Sequence, residues 1–219
     1  MIFDDRIHAG KALAEALASF RGQPDTIVLG LPRGGVPVAA EVATHLKLPL
    51  DLLIVRKLGA PSQPELAIGA IAGNGAMVLN QRIVNDAGLT PEEIEAIATR
   101  ERLEIERREQ AYRNGLPPLP LEGRTVILVD DGLATGASMR AAALAVRPVA
   151  RRVIIAVPVA PASTLRELSS VSDDIVCLST PYPFEAVGLF YRNFTQTTDD
   201  EVRNLLAAAR AQAPPSTNS

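Results

Sequence analysis

The sequence is poor in the residues on which several kinds of site depend. Its 219 residues include one cysteine, two histidines and no tryptophan, and aromatic residues make up only 4%. The single cysteine, Cys177, excludes an intramolecular disulfide bond and is compatible with a reducing compartment. His8 and His45 fall in different predicted helices and lack clustered cysteine or acidic ligands, so we expect no metal site built from side chains of the chain alone.

A strong basic charge and long apolar runs are also missing. The formal net charge is -3 and the pI is about 5.5, which is unlike the basic surface of a nucleic-acid-binding protein. No apolar stretch is long enough to span a bilayer, and the acidic N-terminal segment does not resemble a signal peptide. We therefore expect a cytoplasmic protein that binds neither nucleic acid nor membranes, and in which any basic site is local.

The chain does contain a regular alternation of short apolar strands and helices. The strand–helix–strand order favours an α/β fold, with a mainly parallel central sheet flanked by helices, in a single domain over residues 1–212. The polar residues 213–219 are expected to form a disordered tail. Strands are predicted at 26–31, 50–55, 125–129, 153–159 and 175–178, and helices at 5–20, 36–46, 90–112, 137–146, 163–168 and 198–211.

Two segments interrupt this alternation. Between the apolar runs 67–72 and 76–80, Gly73-Asn74-Gly75 is typical of a hairpin turn, so we predict an antiparallel flap within a flexible arm over residues 57–82. Thr90-Pro91-Glu92-Glu93 is a capping box with proline at the first helical position, and it opens a long inserted helix within residues 90–114.

The most informative stretch follows the predicted strand 125–129. That strand ends in Asp130-Asp131 and leads into a loop of small residues at the start of a helix, where amide N–H groups suit a phosphate. Two carboxylates beside such a loop fit a ligand that also carries hydroxyl groups or a divalent cation, as a sugar phosphate does. A Walker loop and a dinucleotide fingerprint are both excluded by their missing residues. The candidate loop residues are Gly132, Leu133, Ala134, Thr135, Gly136, Ala137 and Ser138.

The stretch 126–138, Val-Ile-Leu-Val-Asp-Asp-Gly-Leu-Ala-Thr-Gly-Ala-Ser, resembles the phosphoribosyl-pyrophosphate (PRPP) motif of the type I phosphoribosyltransferases. The resemblance implies that Asp130 and Asp131 hold the ribose hydroxyl groups and that the loop holds the 5-phosphate. It also implies a fold with a small hood over the acceptor, Mg²⁺ carried with PRPP, and the homodimer that is common in this family.

A second loop resembles the part of these enzymes that holds the leaving pyrophosphate. It is Pro32-Arg33-Gly34-Gly35, which the family often builds with a non-proline cis peptide. Arg56 and Lys57, predicted at the end of the second strand, resemble the basic pair that precedes the flexible arm. The resemblance implies catalytic roles for Arg33 and Lys57 together with the acid pair, and substrate contacts for Gly34, Gly35 and Arg56.

The acceptor side is less well specified. Residues 180–197 are a candidate hood, in which Phe184 vaguely resembles the aromatic residue that stacks the base in hypoxanthine-guanine phosphoribosyltransferases. Packing of these aromatics in a satellite core is an equal alternative. Ala134 and Ala137 stand where those enzymes carry an aspartate and a lysine, so the usual recognition of a 6-oxopurine is not expected.

The resemblance implies a phosphoribosyltransferase that uses PRPP and Mg²⁺ to transfer a phosphoribosyl group to a nitrogen acceptor, with release of pyrophosphate. A nucleobase is the acceptor that we expect. One alternative is a regulatory protein of the same fold that senses PRPP or a nucleotide without catalysis. Another is a binding domain that has lost both roles.

Overall fold

The computed structural model describes residues 1–61 and 63–212, so the predicted tail 213–219 lies outside the described part of the chain. Eight strands and seven α-helices are found there, with short 3₁₀ turns at Ala18–Phe20 and Val187–Phe190. The strands are β1 Thr26–Gly30, β2 Leu50–Leu52, β3 Val55–Ala60, β4 Gln63–Ala72, β5 Met77–Leu79, β6 Thr125–Val129, β7 Arg152–Val159 and β8 Asp174–Ser179. The helices are α1 Arg6–Ala16, α2 Gly35–Leu46, α3 Gln81–Asp86, α4 Pro91–Arg113, α5 Ala137–Val146, α6 Ala162–Leu168 and α7 Asp199–Gln212.

The predicted α/β class is confirmed by a five-stranded sheet in which every pair of neighbours is parallel. Its order is β2-β1-β6-β7-β8. Strands β1 and β6 lie at its centre and are buried along their whole length, as expected for parallel strands covered by helices on both faces. The carboxyl ends of all five strands therefore meet at one edge of the sheet.

Alternate residues of the central strand β6 belong to different hydrophobic clusters, because successive side chains of a strand point to opposite faces. Ile127 and Val129 pack in the cluster that contains α1, α2 and α7. Val126 and Leu128 pack in the second cluster, with Met139 of α5. The sheet is thus buried between two helical layers.

A separate three-stranded antiparallel sheet, β3-β4-β5, confirms the predicted flap and its turn near Asn74. The prediction of one strand over residues 50–55 is wrong at its carboxyl end. Strand β2 stops at Leu52, while Leu53 and Ile54 are buried between the two sheets. Arg56 and Lys57 therefore belong to β3 of the flap and do not end a parallel strand. The short helix α3 was not predicted.

The inserted helix α4 begins with the predicted capping box, since Thr90 Oγ1 accepts from the amide of Glu93 and Glu93 Oε2 accepts from the amide of Thr90. Its carboxyl end is anchored by Asp51 of β2, which is 1% exposed. Asp51 accepts from Arg113 of α4 at 2.9 Å and from Arg210 of α7 at 3.2 Å. This buried network ties α4 and α7 to the edge of the sheet.

Along the described ranges, none of the helices has both the length and the apolar character needed to cross a membrane.

Candidate functional site

The loop after β6 presents backbone groups rather than charged side chains. Gly136 precedes α5 with a φ of +69°, and no side chain caps the helix start at that residue. Thr164 of α6 fixes the loop from below, because its hydroxyl group donates to the carbonyl oxygen of Ala134 at 2.7 Å. A Cβ on Gly136 would lie 2.6 Å from Thr164 Cγ2, so glycine is required by both conformation and space. Thr135 and Ser138 are exposed beside this helix start, which is a favourable position for a phosphate.

The loop Pro32-Arg33-Gly34-Gly35 packs directly against the acid pair. Its Pro32–Arg33 peptide bond is cis, as the resemblance implied. A Cβ on Gly34 would overlap the carboxylate of Asp131, and a Cβ on Gly35 would lie 2.8 Å from Asp130 Cα. Two glycines are therefore needed for the close approach of this loop to the end of β6.

The two acids have different neighbours. Asp131 forms an ion pair with Arg6 of α1 at 2.8 Å, and its carbonyl oxygen accepts from the hydroxyl group of Tyr191 at 2.6 Å. The guanidinium group of Arg6 also lies 4.1 Å from the ring centre of Phe194, a cation–π contact. Arg6 of α1 and Tyr191, which follows the 3₁₀ turn Val187–Phe190, thus hold Asp131 in place.

Burial and nearby negative charge raise the pKa values of side chains around the acid pair. Burial, followed by the negative charge of Asp131, raises the pKa of Asp130 well above its ordinary value. Burial also raises the pKa of Asp131, although the Arg6 guanidinium opposes the shift. The pKa of the Tyr191 hydroxyl is raised by burial and by the same carboxylate. Proximity of two acids in a partly buried site has this effect because both cannot ionise without cost.

Two cavities open beside the acid pair, one lined by Asp131 and the other by Asp130. The first, of about 340 Å³, is lined by Asp131 with Arg6, Arg33 and Phe194. The second, of about 140 Å³, is lined by Asp130 and Ser138 with three arginines, Arg33, Arg56 and Arg108. We name them the hood-side cavity and the arginine cavity. Arg33 lines both, so the Pro32–Gly35 loop divides one from the other.

Each arginine of the arginine cavity is paired with a carboxylate. Arg56 bonds to Glu101 at 2.9 Å, Arg108 to Glu104 at 2.6 Å, and Arg33 lies 3.6 Å from Asp199. Hydrogen bonds from Arg107 and, second, from Arg108 lower the pKa of Glu104 to about 2.

Tyr112 connects this cavity to α7. Its hydroxyl group donates to Asp199 at 2.7 Å, and this bond lowers the pKa of Asp199. Burial, followed by the same hydrogen bond, raises the pKa of Tyr112 to about 12. Through Asp199, the first turn of α7 therefore contacts both α4 and the Pro32–Gly35 loop.

Most of the residues selected from the sequence meet at this edge of the sheet, but two lie apart from the acid pair. Lys57 is exposed and lines a third cavity of about 720 Å³ between the flap and α5, which also includes Ser138. Phe184 stacks on Phe190 with ring centres 5.2 Å apart and lines neither of the two cavities beside the acids. The roles of these two residues, like those of the other selected residues, are predictions.

The side chains beside the acids that the sequence reasoning did not select include Arg6, Arg108, Tyr112, Tyr191 and Phe194. Tyr191 and Phe194 lie within the candidate hood 180–197. No local pattern marks the other three, because each reaches the site only through the tertiary fold.

Comparison with known proteins agrees with this geometry. The sequence pattern of the phosphoribosyl transferase domain matches residues 3–189. Proteins named as phosphoribosyl transferases in two strains of Mycobacterium tuberculosis are 49% identical over 202 residues, which cover 92% of this chain and 45% of theirs. The chain thus spans about half the length of these relatives.

A solved structure extends the comparison to three dimensions. The protein TT1426 of Thermus thermophilus is 44% identical, with a TM-score of 0.84 and with 95% of this chain and 99% of that chain covered. Together with the domain match and the acid pair that ends β6, this similarity is decisive. The chain belongs to the phosphoribosyl transferase domain family.

Proposed function

We propose that this domain is a phosphoribosyltransferase that uses PRPP and Mg²⁺ to transfer a phosphoribosyl group to a nitrogen acceptor, with release of pyrophosphate. A nucleobase is the acceptor class that we favour. The observation that carries the proposal is the contact between two loops. The acid pair with its phosphate-type loop ends one central strand, and the glycines of the Pro32–Gly35 loop pack on that pair from the neighbouring strand.

In this proposal the residues of the chain bind and orient. The start of α5, with the exposed side chains of Thr135 and Ser138, holds the 5-phosphate. Asp130 and Asp131 accept hydrogen bonds from the ribose hydroxyl groups. Because the acids hold the ribose while one loop holds the 5-phosphate and the other holds the pyrophosphate, the anomeric carbon is fixed between the two loops.

The charged side chains act on the leaving group. Transfer at an anomeric carbon passes through an oxocarbenium-like transition state, in which negative charge grows on the departing pyrophosphate. Arg33 and Arg56 line the cavity where this charge develops, and Lys57 of the flap completes the predicted set. Positioned cations stabilise such charge more effectively than water does, since they need no reorganisation. Closure of the flap would exclude water from the reactive sugar.

The donor set fits a magnesium ion that arrives with its ligand. Across residues 1–61 and 63–212, no cluster of three or more His, Cys, Asp or Glu side chains forms a cage for a metal. Mg²⁺ commonly binds through one or two carboxylates together with phosphates of the substrate, and Asp130 and Asp131 supply that number. When bound, the ion would neutralise charge on the pyrophosphate.

Isothermal titration with PRPP and Mg²⁺ tests the proposal. Wild-type protein should bind, whereas the double variant Asp130→Asn/Asp131→Asn should lose binding, because it removes both acceptors for the ribose. Asp25→Asn is the matched control, since Asp25 is exposed and precedes β1 at the opposite edge of the sheet. Pyrophosphate release is then measured with a panel of nucleobases.

Absence of binding by the wild type at millimolar PRPP would contradict the proposal. Binding without release of pyrophosphate for any acceptor would favour the alternative in which the domain senses PRPP without catalysis. Release with one base would identify the acceptor.

A further inference from the structure

We propose that the inserted helix α4 supplies a third guanidinium group, that of Arg108, to the site for the pyrophosphate group, in exchange for its resting partner Glu104. The proposal deepens the proposed function and rests on it. It assigns to α4 a direct part in binding the substrate, beyond packing against the flap and α7.

Convergence of three separate elements is the first support. Arg33 comes from the loop after β1, Arg56 from β3 of the flap and Arg108 from the carboxyl-terminal half of α4, yet all three line one cavity of about 140 Å³. Like charges converge in this way at a cost, which a bound polyanion removes. The cavity also contains Asp130 and Ser138, so it adjoins the ribose and the 5-phosphate loop.

The resting partners are the second support. Each guanidinium group is held by a carboxylate, and two of these carboxylates, Glu101 and Glu104, lie one turn apart on α4 itself. A charged group in a partly buried site needs a partner. The carboxylates satisfy the arginines while no ligand is bound, and a phosphate can replace them because arginine binds both groups through the same pair of parallel N–H donors.

The number and kind of donors indicate the ligand class. The start of α5 offers backbone amides and hydroxyl groups, which suit a single phosphate. Three guanidinium groups around a small cavity suit a group with several negative charges and many acceptor oxygens. Pyrophosphate, free or attached to the sugar, has this chemistry, whereas a single carboxylate carries one negative charge and two acceptor oxygens, too few for three guanidinium groups.

The chain provides a matched control on the same helix. Arg107 bonds to the same carboxylate, Glu104, at 2.9 Å, but it is 67% exposed and does not line the arginine cavity. Substitution of either arginine removes one positive charge from α4 and its hydrogen bonding to Glu104, which is two bonds for Arg107 and one for Arg108. A comparison of Arg108→Gln with Arg107→Gln therefore separates the effect of position from the effect of charge.

Titration calorimetry of the full chain with inorganic pyrophosphate and Mg²⁺, and separately with ribose 5-phosphate, tests the proposal. Arg108→Gln should weaken pyrophosphate binding about tenfold, equivalent to about 1.4 kcal/mol, and leave the affinity for ribose 5-phosphate unchanged. Arg107→Gln should leave both affinities unchanged. Thermal unfolding of each variant establishes that the fold is retained.

A variant of the resting partner adds a test with the opposite sign. Glu104→Gln removes the charge that competes for Arg108, so pyrophosphate should bind this variant about two- to fivefold more tightly than the wild type. Weaker binding by Glu104→Gln would overturn the exchange, because it would show that the carboxylate assists the ligand.

The outcomes separate this inference from the proposed function. If the wild type binds both ligands and Arg108→Gln binds pyrophosphate as tightly as the wild type does, only the role of Arg108 fails. An equal loss of both ligands in Arg108→Gln would also overturn it, since a structural defect would then be the cause. If the wild type binds neither ligand, the proposed function itself fails.

Discussion

The two regions that we propose to bind anions at the edge of the sheet are built in different ways. The loop 132–138 contains no lysine or arginine, and it offers backbone groups and two hydroxyl groups at the start of α5. The arginine cavity depends on charged side chains from three distant elements. The residues of the first region form one continuous segment of the chain. The second region forms only when the flap, α4 and the Pro32–Gly35 loop pack together.

Because of this difference, the geometry of each region depends on different contacts. The loop depends on local conformation, because its amides are placed by Gly136 and by the hydroxyl group of Thr164. The arginine cavity depends on the docking of α4 and α7, which is fixed by Asp51, Arg113 and Arg210. Perturbations of local geometry and of helix docking should therefore affect the two regions unequally.

The largest expected effect, on the free energy of unfolding, comes from removing Asp51, which anchors α4 and α7 beside the arginine cavity. Asp51→Ala leaves the buried guanidinium group of Arg113 without its main partner, and loss of one member of a buried ion pair costs about 3–5 kcal/mol. The free energy of unfolding, measured in urea, should fall by that amount. Pyrophosphate binding by the remaining folded protein should weaken more than ribose 5-phosphate binding.

Asp174→Ala is the control for this change. Asp174 is half exposed and lies 3.6 Å from Arg152, so its removal should cost less than about 1 kcal/mol. Equal losses in the two variants would contradict the anchoring role of Asp51.

A smaller effect is expected from the local region. In Gly136→Ala, the new methyl group meets Thr164, and the positive φ disfavours a side chain by about 1–2 kcal/mol. Ribose 5-phosphate should bind about tenfold more weakly, while pyrophosphate binding stays unchanged. Gly123→Ala has the same φ of +69° but no atom within 4 Å of the new methyl group, so titration should show normal binding of both ligands. Parallel losses of both ligands in Gly136→Ala would remove the distinction between the regions.

The smallest effect concerns the link between α4 and α7. The pKa of Tyr112 is raised from 10.0 to about 12 in the folded protein, so the folded state retains this proton more strongly. The stability that results is present below about pH 10 and is lost as the pH rises toward about 12. Between about pH 9 and pH 11, the wild type should therefore lose about 1 kcal/mol more than Tyr112→Phe in urea unfolding. Identical pH dependence of the two proteins would show that folding does not raise the pKa of Tyr112.

The sequence predicted the parts of the fold whose signals are local. The apolar, β-branched run 125–129, the turn at Asn74 and the capping box at Thr90 each specify their own conformation, and each is found as predicted. The acid pair was placed correctly at the end of a strand for the same reason. Its contact with the Pro32–Gly35 loop was not predicted, and it results from the parallel pairing of β1 with β6, which aligns their carboxyl ends.

The sequence could not predict features that depend on the packing between elements. The apolar run 50–55 reads as one strand, but Leu53 and Ile54 are buried at the junction of two sheets, and burial alone does not reveal a change of sheet. Arg108 lies in a helix whose dense charges are typical of a solvated face. Only the tertiary structure shows that one of these arginines faces the acids while its neighbour Arg107 does not.

The two neighbouring aspartates that follow β6 line different cavities. Asp130 belongs to the cavity with Arg56 and Arg108, whereas Asp131 belongs to the cavity with Arg6 and Phe194. Apart from Arg33, which lines both cavities, the side chains around one carboxylate are not those around the other. A single pair of neighbouring aspartates thus makes the two halves of the site separately adaptable.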